Sequence, residues 1–113
     1  MKNLKIGEVM GFADQVSYQP GQVVSKTLEQ NEAVSLTLFA FDKGEEIGTH
    51  ESRGDALVIV LDGEGEVVID GKKHRLASGQ SIVMPAGHPH SVYAKEQFKM
   101  FLVVTFPLEK KQE

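Results

Sequence analysis

Cysteine is absent from the 113 residues of this chain. Disulfide bonds, thiolate metal ligands and a cysteine nucleophile are therefore excluded. An excess of positive charge is also missing, because 12 lysines and arginines stand against 16 aspartates and glutamates, for a net charge of −4. We therefore predict that the protein binds neither nucleic acid nor an anionic membrane surface.

Long apolar runs are absent as well. No run approaches the roughly 20 residues that a membrane-spanning helix needs, and residues 1–16 lack the apolar core of a signal peptide. We therefore expect a cytoplasmic protein, which the absence of disulfides also fits. No linker interrupts the composition, so we predict a single domain over residues 1–113, with an irregular N-terminal segment (1–20) and a charged tail (108–113).

Helical periodicity is missing too, and short apolar stretches separated by glycine and proline take its place. Residues 33–41 alternate between apolar and other side chains, as expected of a strand with one buried face. The predicted strands are 33–41, 56–61, 66–70, 73–76, 81–85, 90–94 and 97–106. Many short strands at this spacing indicate a sandwich or a barrel.

Two of the predicted strands are apolar on both faces. Residues 56–61 read ALVIVL, and residues 97–106 include FLVV. A face that does not point into the core still has to be covered. We therefore expect either another sheet or a second subunit to lie against these strands.

Four histidines are candidates for chemistry. His74 lies in the return strand of a hairpin and is interpreted as a partly exposed strand residue. His88 and His90 are two positions apart, so they share a face if the chain is extended there. His50 follows the segment GEEIG. Imidazoles from separate strands that meet in a barrel mouth would form a metal site or an acid–base site.

Two segments carry a resemblance to a known family. Residues 44–63 read GEEIGTHESRGDALVIVLDG, and residues 79–94 read GQSIVMPAGHPHSVYA. Their spacing of glycine, histidine and proline resembles the two-part motif of the cupin superfamily. The resemblance implies an all-β fold, the cupin-type jelly-roll β-barrel, which is also called a double-stranded β-helix.

The resemblance also implies a set of site residues. In metal-binding cupins the first motif supplies two histidines and a glutamate, and the second motif supplies another histidine. His50 and His90 match the first and last of these ligands, whereas Ser52 and Ala56 stand at the other two positions. Alanine has no donor atom, and a serine hydroxyl is a poor ligand for a transition metal. We predict that His88 completes the set with His50 and His90.

Other residues near these positions leave alternatives open. Asp55 and Glu51 carry carboxylates, but neighbours in a strand point to the opposite face. Arg53 either anchors a carboxylate or phosphate at the pocket mouth or is a solvated loop charge. We expect Ser52, Arg53 and Ala56 to line the pocket.

Two functional hypotheses follow. In the first, the protein is a cupin whose barrel pocket, lined by His50 and His90, binds a small molecule, with or without a divalent transition metal (Zn, Ni, Fe, Mn or Cu). In the alternative, it is a metal-dependent enzyme of the dioxygenase or isomerase type that uses His50, His88 and His90 as ligands. The sequence leaves open whether there is catalysis. The resemblance also implies a homodimer.

Overall fold

Residues 1–108 form eight β-strands and one short 3₁₀ helix. The computed structural model describes residues 1–108, so the predicted charged tail beyond Leu108 lies outside the described residues. The elements are the 3₁₀ helix (Phe12–Gln15), β1 (Val23–Gln30), β2 (Val34–Phe41), β3 (Glu46–His50), β4 (Asp55–Ile69), β5 (Lys72–Ala77), β6 (Ser81–Met84), β7 (His90–Tyr93) and β8 (Phe98–Thr105). The predicted all-β fold is confirmed. Within residues 1–108, no helix is long and apolar enough to cross a membrane.

Strand β4 belongs to two sheets and joins them. Its first half pairs with β6 and β8, and β8 continues through β2 to β1. Its second half pairs with β5 and β7, and β7 pairs with β3. The sequence predicts two strands, 56–61 and 66–70, where the structure has one strand of 15 residues. The glycines that separate the two stretches bend this strand and do not end it.

The bend in β4 depends on Gly63 and Gly65. Gly63 has a φ of 72° and follows a register shift against β8, and a Cβ at this position would lie 2.0 Å from the carbonyl oxygen of Gln97. A Cβ on Gly65 would lie 2.7 Å from the ring of Phe98. Only glycine fits such close approaches, and at Gly63 the positive φ adds to this requirement. The bend carries β4 from one sheet to the other and so brings it alongside β7.

The core lies between the two sheets. Phe41 and Phe98 stack there with their ring centroids 4.5 Å apart. The buried apolar residues of this cluster are Phe41, Ala56, Val58, Val60, Val67, Leu76, Met84, Val92, Ala94, Phe98, Met100 and Val104. The even-numbered residues at the start of β4 face this core, so the opposite face of the sheet has to be covered by something else.

The N-terminal segment of the same chain covers part of that opposite face. Val16 is buried in a second cluster, whose other buried members are Leu28, Leu38 and Ala40. The ring centroid of Phe12 lies 4.9 Å from that of Phe101, and the Tyr18 hydroxyl donates to a carboxylate oxygen of Asp62 at 2.5 Å. Residues 12–18 therefore cover part of the sheet face that we expected another sheet or a second subunit to cover.

Two strands were not predicted from the sequence. The burial of β1 is irregular, with intermediate residues next to one another, and its pairing with β2 shifts register between Thr27 and Glu29. Strand β3 is exposed at every position except Ile47. Because neither strand has one regularly buried face, neither stretch of sequence shows the strict alternation of apolar and polar residues by which a half-buried strand is recognised.

Candidate functional site

A mostly apolar cavity of about 230 Å³ lies inside the barrel. It is lined by Phe39, Ile47, His50, Ser52, Ala56, Met84, His90, Val92, Met100, Leu102 and Val104. Two histidines and one serine are the polar members of this set, and it contains no carboxylate. The cavity thus combines an apolar wall with a small polar group, as small-molecule sites commonly do.

The two histidines are neighbours across a pair of antiparallel strands. His50 is the last residue of β3, His90 is the first residue of β7, and the two are register partners. Ile47 pairs with Val92, so β3 has one residue more than β7 between these pairs. Without that extra residue, a spacing of three would place Ile47 and His50 on opposite faces. The bulge lets both of them face the cavity.

Two hydrogen bonds join the segment that follows His50 to the turn that precedes His90. The N–H of Gly87 donates to the carbonyl oxygen of Ser52 at 2.9 Å. The N–H of Ala86 donates to Oδ1 of Asp55 at 2.9 Å. Asp55, considered above as a replacement ligand, thus ties the start of β4 to the turn before His90.

The rings of His50 and His90 meet through their Nε2 atoms, which are 3.2 Å apart. Nδ1 of His50 lies 2.9 Å from the carbonyl oxygen of Gly48, and Nδ1 of His90 lies 3.1 Å from that of His88. A carbonyl oxygen can only accept, so each Nδ1 carries the hydrogen and donates it. Each neutral ring then presents a bare Nε2 lone pair to the other.

If both rings are neutral, their two lone pairs repel at this distance, and a cation between or beside them would stabilise the pair. If His50 carried its hydrogen on Nε2, its Nδ1 lone pair would face the oxygen of Gly48, which is repulsive. A proton is one candidate cation, but burial lowers the pKa of His90, and the neighbouring His50 ring lowers it further. The hydrogen bond to His88 and the charge of Glu51 act in the opposite direction. The net effect disfavours the protonated form of His90.

A divalent metal ion fits the same pair of atoms. Metal-binding imidazoles are neutral, and they usually donate their second N–H to a carbonyl or carboxylate, as both rings do here. Two zinc–nitrogen bonds at a tetrahedral angle span about 3.3 Å between the nitrogens, close to the 3.2 Å observed. The spacing of the two Nε2 atoms and the carbonyl partners of the two Nδ1 atoms are those that a pair of metal-binding imidazoles would have.

His88 is not brought to this pair. It lies in the turn before β7, where the parity argument that placed it beside His90 does not apply. Its Nδ1 lies 2.7 Å from Oδ2 of Asp70, in the turn between β4 and β5. Among residues 1–108, no group of three His, Cys, Asp or Glu side chains is placed to hold a metal ion.

Of the three predicted pocket residues, two line the cavity. Ser52 and Ala56 are in its wall, whereas Arg53 is not. The guanidinium carbon of Arg53 lies 4.9 Å from the ring centroid of Phe106, outside the cavity. The Ser52 hydroxyl oxygen accepts the N–H of Gly54 at 3.2 Å, so its own hydrogen can still be donated into the cavity.

A known protein family shares this sequence pattern. The model of the Cupin domain matches residues 37–106. The chain belongs to the cupin family. A conserved protein of unknown function from Streptococcus pyogenes is 45% identical to this cupin over 95% of this chain and 94% of its own, with a TM-score of 0.92. A cupin superfamily protein from Desulfitobacterium hafniense is 30% identical over 94% and 97%, with a TM-score of 0.89.

A more distant structure shares the fold alone with this cupin. A single-residue mutant of salicylate 1,2-dioxygenase from Pseudoaminobacter salicylatoxidans is 21% identical over 82% of this chain and 29% of its own, with a TM-score of 0.70. A comparison with curated proteins gave no match.

Proposed function

We propose that this cupin binds one divalent transition metal ion (Zn, Ni, Fe, Mn or Cu) on Nε2 of His50 and Nε2 of His90, and a small molecule in the adjoining cavity. The observation that carries the proposal is the approach of the two Nε2 atoms to 3.2 Å, on rings whose Nδ1 atoms both lie within hydrogen-bond distance of a backbone carbonyl oxygen. Backbone carbonyls fix both ring tautomers, which preserves the lone pairs for a metal ion.

A bound ion would act as a Lewis acid toward an oxygen atom of the small molecule. The chain itself contributes the ring orientation, through the carbonyls of Gly48 and His88. It also contributes an apolar wall that keeps water away from the ligand. His90 is only 2% exposed whereas His50 is exposed, so an ion would enter past His50.

The dioxygenase or isomerase alternative uses His50, His88 and His90 together. His88 lies against Asp70, and reaching the pair would require it to leave that contact. No observation on the described residues favours a particular reaction. We therefore propose binding of an ion and a small molecule as the function.

Metal analysis tests this function directly. Protein purified without chelator and without a nickel column is expected to contain, or to take up on titration with Zn²⁺, Ni²⁺ or Co²⁺, about one ion per chain. Affinity should fall as pH is lowered, because protons compete for the two Nε2 atoms. Absence of saturable uptake by calorimetry at neutral pH would rule the function out.

We also propose that this cupin forms a homodimer through its N-terminal segment. Ile6 is 88% exposed and Val9 is fully exposed, beside a groove of about 760 Å³ between residues 3–15 and Lys26. These two side chains supply apolar surface that an interface through this segment would bury. A second copy of the chain is the partner that the family resemblance implies.

Substituting both Ile6→Glu and Val9→Glu is expected to convert the dimer to a monomer. Light scattering should then show a mass near 12.4 kDa in place of twice that value, with an unchanged circular dichroism spectrum. Lys5→Glu changes the net charge of the same segment by the same amount without removing apolar surface, so it serves as the control and should stay dimeric. A monomeric wild-type protein would contradict the proposal.

A further inference from the structure

The outer face of the sheet formed by β6, β4, β8, β2 and β1 carries a row of apolar side chains. Leu57 of β4 pairs with Val83 of β6 on one side and with Val103 of β8 on the other. Ile59, two positions further along β4, shares their face. None of these four residues, called the apolar row below, is buried, and none belongs to either core cluster. The apolar row is therefore left open by residues 1–108.

The N-terminal segment covers the neighbouring part of the same face. Leu36, which pairs with Val103 and extends the row onto β2, packs against the second core cluster. Leu4 and Phe12 pack against that cluster too, and the loop between them, residues 5–11, is exposed at every position. Because both ends of this N-terminal loop are attached to the outer face, the loop stands out from the same side of the molecule as the apolar row.

The N-terminal loop and the apolar row lie toward opposite edges of this face. The row is on β6, β4 and β8, with β6 at one edge of the sheet. Just before the loop, Nδ2 of Asn3 donates to the carbonyl oxygen of Thr27 on β1, the strand at the other edge. The face therefore has a projecting part toward β1 and an open apolar part toward β6.

The exposed apolar side chains of the molecule are concentrated at these two places. Six large hydrophobic side chains are exposed in residues 1–108, and apart from the two at the ends of this range they are Ile6, Val9, Met10 and Val83. Three of these are in the loop and one is in the row. Lys5 and Glu8 of the loop form an ion pair at 3.9 Å, so the loop has no net charge, and the row has no charged residue. The two surfaces therefore match each other in polarity.

We propose that the apolar row is the surface on which the N-terminal loop of a second copy of the chain docks, so that each copy receives the loop of the other. This inference rests on the homodimer proposed above and names the surface that its N-terminal segments contact. A two-fold dimer uses the same patch of both subunits. With the two-fold axis parallel to the strands of two facing copies, the edges of the faces are exchanged, and each loop lies over the row of the other copy.

The size of the face also favours a reciprocal contact. Strands lie about 4.8 Å apart and rise about 3.4 Å per residue, so the four strands from β6 to β2 offer at most roughly 450 Å². A stable interface takes about 800 Å² from each partner. The sheet face alone is therefore too small, and the loop beside it supplies further surface to the same interface.

Introduced cysteines test which surfaces meet. The chain has no cysteine, so a disulfide can form only between introduced residues. When Val9→Cys protein is co-expressed with tagged Val83→Cys protein, the mixed covalent dimer is expected to form on mild oxidation at least about tenfold faster than either variant links to itself, because a disulfide requires Cα atoms within about 7 Å. Non-reducing electrophoresis separates the three products.

Substituting Val83→Glu tests the same contact at equilibrium. Val83 is 53% exposed on a strand at the edge of the sheet, so the circular dichroism spectrum should not change. The dissociation constant of the dimer is expected to rise at least about tenfold, as measured by sedimentation equilibrium. Ala77→Glu adds the same charge at an exposed position of β5, in the other sheet, and should keep the wild-type constant.

The outcomes separate this inference from the proposed homodimer. The apolar row is not the receiving surface if the wild type is a dimer but Val83→Glu leaves its dissociation constant unchanged. Faster linking of either cysteine variant to itself than to the other overturns the inference as well, while the homodimer stands. The cysteine test decides this even if Val83→Glu fails to fold. A monomeric wild-type protein overturns both proposals.

Discussion

Replacing His90 by alanine is expected to lower the affinity for Zn²⁺ or Ni²⁺ by at least about a hundredfold. A site with two protein ligands cannot lose one and keep chelation, and even the loss of a supporting hydrogen bond around a metal ligand commonly costs about 10–100-fold. His90 is the buried member of the pair, so a water molecule from the solvent cannot easily take its place as a ligand. Calorimetric titration of metal-free protein measures the change.

Two other histidines provide matched controls for this variant. His74 lies on β5 and is not in the cavity wall, and His88 lies against Asp70. His74→Ala and His88→Ala should therefore keep the wild-type affinity within about threefold, which is below 1 kcal/mol. A loss in His88→Ala equal to that in His90→Ala would restore the three-histidine set. Unfolding curves of the metal-free variants show whether a loss of binding reflects a loss of fold.

Replacing Gly63 by alanine is expected to lower the free energy of unfolding by about 3 kcal/mol or more. A left-handed backbone costs a residue with a Cβ about 1–2 kcal/mol, and overpacking a close approach adds about 1–3 kcal/mol. At Gly63 both costs apply, because φ is 72° and the new Cβ would lie 2.0 Å from the carbonyl oxygen of Gln97. Urea unfolding of the variant beside the wild type measures the difference.

Gly71 separates these two costs. Its φ of 78° is similar, but a Cβ there would have nothing within 4 Å. Gly71→Ala should therefore cost only the conformational part, about 1–2 kcal/mol. Equal costs for Gly63→Ala and Gly71→Ala would show that the contact with Gln97 relaxes at little expense, and that the bend of β4 is more tolerant than its geometry indicates.

The contrast between these glycines explains which part of the fold could be predicted. Gly71, in the sequence DGK, indicates a turn between β4 and β5, and the structure has one there. Gly63 looks the same in the sequence, but β4 continues through it. Glycine marks a positive φ or a close approach. The residues next to Gly63 in the sequence do not reveal that a close approach is added to the positive φ, because Gln97 and Phe98 come from a distant part of the chain.

The candidate site, like the fold, could be predicted only in part from the sequence. The spacing of the two motifs indicates His50 and His90, and these are the two rings that meet. His88 was placed by strand parity, which fails because β7 begins only at His90. Ile47 was missed because a bulge, which leaves no mark in the sequence, turns it toward the cavity. Aliphatic strand residues such as Val92 serve core and cavity alike, so the sequence does not distinguish the two.

The separation of His50 and His90 along the chain has a consequence for how an ion would be captured. The two residues are 40 positions apart, and bringing the ends of such a segment together costs roughly 3 kcal/mol of chain entropy. In the folded chain, the pairing of β3 with β7 and the hydrogen bonds of Ser52 and Asp55 already hold these ends together, so this entropy is lost on folding and not on metal binding. An ion that binds there, as we propose, would therefore find two donor atoms already 3.2 Å apart and would have no loop left to close.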